Sequence, residues 1–327
     1  MIWLWLACTA GAPDSAQEPA WVDQGPDALP LPDFSDVDLA AAATDAMTLA
    51  LALDLSGPWA AHAQSLAQRT DGCPDVYVGN PGVDDDRIGD DATGLSWMDT
   101  CRTPAGRTYG GFMYWETQLD RTAGVEGSRT LVGRASVSMG DSLELYVRGA
   151  GSDSFVLTDD GGVTHWQQNT SLDVSVEGSA SGWPTEGGAR TDLSRQITGG
   201  DLVNRIDMSG SAHVPDARIQ DRFDSLEMDL SLQGELGAGP DDCTLEPRGY
   251  LGLRDPDAHW VHLVFLPLDD QDPTWSDTDR SVCDGCATLY VRGVEQPDPV
   301  CVDWAELFDV VPAPVPADYA LSIRESP

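Results

Sequence analysis

Three kinds of residue in this chain have the types and spacing to do chemistry. The first is Cys283-Asp-Gly-Cys286. A Cys-x-x-Cys pair works as a redox dithiol when it opens a helix in a βαβ unit, and no such pattern surrounds this one. A zinc site needs a second Cys-x-x-Cys or a His pair at ribbon spacing, and only the single Cys243 and Cys301 are on hand. Structural disulfides are the simpler reading. The second is His259-Trp-Val-His262. Three-residue spacing places two rings on one face of a helix but on opposite faces of a strand. The local pattern predicts a strand, so no joint metal site is expected.

The third is acidic. In Gly82-Val-Asp84-Asp85-Asp86-Arg-Ile-Gly89-Asp90-Asp91 the carboxylates of Asp84, Asp86 and Asp90 are placed to wrap a hard cation such as calcium. Asp84, Asp86 and Gly89 match the first, third and sixth positions of an EF-hand loop, but Ile88 and Leu95 stand where ligands are required. A second cluster runs Asp269-Asp270-Gln-Asp272, with Asp277 and Asp279 after it. In a chain this rich in acids, solvated loops form such clusters without a ligand. Trp is also frequent, and Trp183 and Trp275 fall in loop-like stretches where an exposed ring can stack on a sugar. Trp115 and Trp166 sit in strand-like runs and are expected in the core. No Gly-x-Ser-x-Gly elbow occurs; Gly178-Ser-Ala-Ser-Gly182 carries Ala180 where the nucleophile belongs. No catalytic residue is assigned.

The charge limits what the chain can bind. Its 327 residues carry 55 Asp and Glu against 18 basic residues, all Arg, for a net charge of −37. Such a field repels phosphate backbones, which excludes nucleic acid as a partner. No apolar run reaches the ~20 residues of a spanning helix. Hydrophobic residues make up 41%, enough for a core, so global disorder is excluded as well.

The chain starts Met1-Ile-Trp-Leu-Trp-Leu6-Ala7-Cys8, a short apolar run ending at a cysteine. It has the form of a lipoprotein signal over residues 1–8, cut before a lipidated Cys8, although Trp5 replaces the usual Leu and no basic residue precedes it. Residues 9–35 are rich in Pro, Asp, Ala and Gln and read as a disordered tether. The six other cysteines are Cys73, Cys101, Cys243, Cys283, Cys286 and Cys301, an even set suited to disulfides in an exported protein. Asp71-Gly72-Cys73 is echoed by Asp284-Gly285-Cys286, and each is followed by a strand-like stretch and another Cys. Closing each unit on itself predicts Cys73–Cys101 and Cys286–Cys301, leaving Cys243–Cys283.

The elements that must carry these residues are mostly strands. Residues 36–68 form the one helical segment: Ser35 and Asp38 supply a start signal, and Leu39, Ala43, Met47 and Leu51 recur at helical spacing. Pro58 suits the first turn of a second short helix. From Cys73 onward the period is two. Leu143, Leu145 and Val147 alternate with polar residues, as do Leu172–Val176, Ile206–Val214 and Leu226–Leu232. One-sided alternation of this kind means an antiparallel sheet with a dry and a wet face. We expect a mainly β fold over residues 70–311, a large antiparallel sheet forming a sandwich or a strongly curled half-barrel, with the helix covering one side. An extended Pro-rich tail over 312–327 ends it.

The Leu6-Ala7-Cys8 start, the lysine-free acidic composition, the Asp-Gly-Cys units and the polar alternating strands resemble uncharacterised bacterial lipoproteins of the Gram-negative cell envelope. The specific part of that similarity is Cys8 and the two Asp-Gly-Cys units. It implies an outer-membrane address, on the periplasmic face or the cell surface, with the membrane as partner through the lipid and no set activity. Thr9 after Cys8 favours the outer membrane. The expected function is that of a lipid-anchored envelope protein with a structural role or a protein or glycan partner. The alternatives are a carbohydrate- or calcium-binding module and, less favoured, a secreted hydrolase. No cofactor other than calcium is expected.

Overall fold

The computed structural model describes residues 32–55, 57–58, 61, 65, 72–74, 77–78, 93–97, 100–120, 125–157, 163–177, 183–199, 203–235, 247–265 and 285–309. The elements in chain order are α1 (Leu39–Ala52), β1 (Tyr77–Val78), β2 (Thr93–Trp97), β3 (Cys101–Arg102), β4 (Arg107–Asp120), β5 (Val125–Met139), β6 (Ser142–Leu157), β7 (Val163–Val176) and β8 (Ala189–Gly199). Then come β9 (Val203–His213), β10 (Ser225–Glu235), β11 (Arg248–Arg254), β12 (Trp260–Val264), β13 (Cys286–Val291), β14 (Val294–Glu295) and β15 (Val300–Cys301), and a 3₁₀ turn over Ala305–Asp309 closes the series. The strands form one antiparallel meander in which each pairs with the next, from β1 through β2 and β4 to β14, while β3 adds to β4 and β15 to β13. The sheet is open. This is the curled form of the expected fold and not the two-sheet sandwich.

Alternation explains the sheet's two faces. Leu172, Val174 and Val176 of β7, Ile206 and Met208 of β9, and Leu226, Met228, Leu230 and Leu232 of β10 all turn inward, into a single core. Leu143 breaks the expectation and is 40% exposed. A bulge accounts for it: Val137 faces Leu145 but Ser138 faces Leu143, so Glu144 is the extra residue and the phase flips by one.

α1 fills the dry side. The Asp38 carboxylate caps it by accepting from the Ala41 amide at 3.0 Å, so the cap is Asp38 and not Ser35. Its Ala42, Ala43, Ala46, Met47 and Ala50 are fully buried. Small alanines let the backbone approach the strands closely, and burying Met47 contributes about 1.5–3 kcal/mol. Gly57, Pro58, Ala61 and Ser65 have helical backbone, where the second short helix is expected.

The helix also proves the curl. Thr44 donates to the carbonyl of Asp303, just after β15, at 3.5 Å. Leu55 lies against Gly151 of β6. These contacts are eleven residues apart, eight of them helical and three beyond the helix, at most about 22 Å of chain. From β6 to β13 is seven strand spacings, about 34 Å if the sheet were flat. The sheet must bend around the helix to meet both ends. Gly149 and Gly210, in mid-strand at φ +125 and +119, permit that bend. A Cβ at either would collide with the carbonyl oxygen of the facing strand, at Ser171 and Asp192.

Two disulfides pin the margins as expected, Cys73–Cys101 and Cys286–Cys301. Cys243 and Cys283 lie outside the described residues.

Candidate functional site: the wet face of the sheet

On the dry side, polar groups serve the fold. Arg195 of β8 is 2% exposed. Its guanidinium donates to the carbonyls of Ala50 (3.1 Å) and Leu51 (2.5 Å) at the end of α1 and to Gln168 Oε1 (3.1 and 2.5 Å). It also stacks on Trp166, 3.9 Å from the ring centroid, and Trp166 Nε1 donates to Asp153 at 3.1 Å. A cation at a helix C-terminus is favourable because the free carbonyls carry partial negative charge. This network locks the helix in place, so the dry side is a filled core.

The wet face is where chemistry can meet solvent. Register places three rows of side chains across it. The first runs Phe112, Arg134, Arg148, Asp173, Arg190, His213, Ser225, Arg254 and Trp260, one residue per strand from β4 to β12. Four of the chain's 18 arginines stand in this one row. Arg190 meets Asp173 at 3.3 Å. Arg134 and Arg148 face each other directly, both exposed, and neither makes an ion pair among the described residues. The second row carries Ala150, Ser171, Asp192 and Ser211, and the third Ser152, Asn169, Ser194 and Ser209. Between taller neighbours these small side chains leave a trough of about 570 Å³. A second hollow of about 450 Å³ shares Ser171 and Asp192 with it and reaches Arg148 and Arg190. Ser194 donates to Asn169 at 2.7 Å within this lining.

At the β10–β13 end the same rows become aromatic and titratable. His262, 2% exposed, pairs through Nε2 with Glu227 Oε1 at 2.9 Å and stacks on Trp260 with centroids 5.5 Å apart. Arg254 lies over Trp260 at 5.5 Å. Burial pushes the Tyr250 hydroxyl above its usual pKa, with the Glu227 and Asp229 charges adding to it. Tyr290 is raised too, by burial and then Glu295.

One serine sits beside an imidazole. Ser225 Oγ is 3.0 Å from His213 Nδ1. It donates to Asp224 at 2.9 Å and accepts from Arg254 at 2.9 Å. Its proton is therefore directed to Asp224 and not to the base, and at 4% exposure no substrate carbonyl reaches it. His213 is on the wet face and half-buried by this contact.

His259 and His262 diverge: His259 Nδ1 meets Asp255 Oδ2 at 3.0 Å in the turn before β12, whereas His262 joins Glu227. Ligand atoms of Asp255, Asp257 and His259 lie within 4.8 Å of one another. Asp255 is already committed to the turn, accepting the His259 amide at 2.8 Å, with Arg222 at 3.9 Å. Trp166 is in the core, as expected, at 2% exposure. Trp183 corrects an expectation. It is 7% exposed, its ring packed against Gly57 so closely that a Cβ there would be 2.5 Å from Cε3. Its loop folds back over the segment after α1, so the ring has no free face for a sugar. Trp275, Asp84, Asp86, Asp90 and Cys8 lie outside the described residues. The arginine row and the trough escaped the sequence reading; the visible signal was the run of Ser, Asn and Arg at alternate positions.

The chain matches no protein-family model, and comparison with curated proteins and with solved structures returns no match.

Proposed function

We propose that this chain is a lipid-anchored protein of a bacterial cell envelope, held at the outer membrane through Cys8, that acts by binding a partner on the wet face of its sheet. The observation that carries the binding role is the trough on β6–β9. With α1 filling the dry side, this trough and the hollow beside it lie open to solvent on the wet face. The absence of taller side chains along two adjacent rows over four strands favours a seat for an extended ligand over a plain solvated face. The Ser225 geometry favours binding over acyl-transfer chemistry.

Leu6-Ala7-Cys8, the Pro- and Asp-rich stretch after it and the disulfides support the anchor and an oxidising compartment. The test is the mature N-terminus. The chain and its Cys8→Ala variant are expressed in a Gram-negative host, and fractionation is combined with mass spectrometry. A lipid-modified Cys8 in the outer-membrane fraction, lost in the variant, is the expected outcome. Membrane-fraction protein still starting at an unmodified Met1 refutes the anchor.

A further inference from the structure

We infer that the trough and the arginine row together form a site for an acidic glycan, one whose sugar rings carry carboxylates. This rests on the wet-face binding role proposed above and names the ligand class.

Arg134 and Arg148 break a rule of strand pairing. Like charges directly opposite on neighbouring strands repel. In a chain with three acids for every base, a charged residue across from an arginine is more often an acid than another arginine. Arg190 shows that pattern: it directly faces Asp173 and pairs with it at 3.3 Å. Arg134 and Arg148 instead face each other, both exposed; Asp173, across from Arg148 on its other side, is paired with Arg190 two strands beyond Arg148. A local choice that opposes stability marks a place where function sets the residue.

Those charges also border a polar hollow. Bare attraction to an anion needs no trough. Here the hollow that reaches Arg148 and Arg190 continues into one lined by Ser171, Ser194, Ser211, Asn169 and Asp192. Hydroxyl and amide groups both donate and accept, and a carboxylate such as Asp192 accepts from neighbouring ring hydroxyls. A ligand matching both parts needs many hydroxyls along its length and carboxylates at one edge. Guanidinium forks suit carboxylates, which they bind through paired hydrogen bonds. Neighbouring strands are about 4.8 Å apart, so Arg134, Arg148 and Arg190 span roughly 14 Å, room for more than one sugar. The net charge of −37 does not forbid this, because charges beyond about 8 Å are largely screened at physiological salt.

The experiment titrates the purified full chain in non-ionic detergent, by calorimetry, with four probes. Oligogalacturonate has hydroxyls and carboxylates. Its fully methyl-esterified form keeps the hydroxyls and loses the charge. Poly-glutamate keeps the charge and lacks the hydroxyls. Phosphatidylglycerol vesicles present an anionic lipid surface. Oligogalacturonate is expected to bind at least tenfold more tightly than each of the others. The double variant Arg134→Gln/Arg148→Gln should weaken it tenfold or more, and Ser194→Gln, which fills the trough without changing charge, should weaken it as well. Arg218→Gln, an exposed arginine off the row, should leave it unchanged. Thermal melts verify folding, and removing two opposed charges should not lower the melting temperature. Equal binding of the ester overturns the acidic class while keeping the trough as a binding site. Equal binding of poly-glutamate or vesicles overturns the glycan. No binding of oligogalacturonate overturns the inference and leaves the Cys8 anchor to its own test.

Discussion

Replacing Arg195 with Met tests whether the helix is held by the sheet or merely rests on it. The substitution keeps much of the side-chain volume and removes every donor. Three acceptors lose their partner at once: the carbonyls of Ala50 and Leu51 and the Gln168 amide oxygen. Each buried acceptor left bare costs about 1–3 kcal/mol. The cation also leaves the Trp166 face, worth about 2 kcal/mol when desolvated, and the C-terminus of α1, worth up to about 2 kcal/mol. Against this stands the cost of holding a guanidinium at 2% exposure, which the variant recovers in part. Breaking one side of a buried charged network typically costs about 3–5 kcal/mol, and that is the expected loss. Urea unfolding followed by far-ultraviolet circular dichroism measures it, and hydrogen exchange on the α1 amides locates it. The double variant Arg195→Met/Gln168→Met should cost less than the two single changes combined, because the Gln168 oxygen disappears with its donor. A loss below 1 kcal/mol in the single variant, with α1 amides still protected, would refute the reasoning.

Three further outcomes follow from the structure. Tyr250 is held neutral above the ordinary tyrosine pKa of 10.0; the folded state binds that proton more tightly than the unfolded one, so this stability is complete below pH 10 and drains away as pH rises through the folded value. Alkaline denaturation of Tyr250→Phe should show a shallower fall than the parent, and identical slopes would show that Tyr250 is not responsible. Cys73–Cys101 closes a separation of 28 residues, which in the chain-entropy account contributes about 3.6 kcal/mol; Cys73→Ser/Cys101→Ser should lose about that amount in chemical denaturation, and an unchanged midpoint would refute it. Gly149→Ala, with φ +125 and the Ser171 carbonyl in the way of a Cβ, should cost about 2–4 kcal/mol. Gly140→Ala, at φ +63 in open space, should cost only about 1–2 kcal/mol; equal losses at the two positions would remove the argument that Gly149 admits the bend.

Much of the fold was legible because burial here is one-sided. Period-two patterns at Leu172–Val176 and Leu226–Leu232 name the inward residues without any knowledge of partners. The helix was legible from its spacing, and the two margin disulfides from the echo of Asp-Gly-Cys. What could not be read was register. The β5–β6 hairpin shows why. From its turn outward, Met139 faces Ser142 and Ser138 faces Leu143. Continuing that count would set Arg134 opposite Val147, with one of the two on the wrong face. The bulge at Glu144 shifts the pairing by one, bringing Arg134 to Arg148 and sending Leu143 into solvent. Nothing in the local sequence announces that bulge. Trp183 failed for a related reason. A loop position says little about whether the loop folds back, and here Gly57 supplies the space that lets it.

The arginines then sort by what faces them, and the sorting carries the functional argument. Arg195 faces helix carbonyls and Trp166 and is buried; its role is to hold α1. Arg107, Arg190 and Arg205 make ion pairs with Glu144, Asp173 and Asp207 and offset a small part of a large negative charge. Arg134 and Arg148 face each other and make no ion pair among the described residues, Asp173 beside Arg148 being paired with Arg190, although acids outnumber bases 55 to 18 in the chain. Opposed like charges on a sheet cost about 0.2–1 kcal/mol, and a single change to Gln at either position would remove that cost. If the pair had no ligand, Arg134→Gln would raise stability slightly and alter nothing else. If an anion belongs there, the same change raises stability and lowers binding. That opposite movement of two measurements separates a site from an accident of composition.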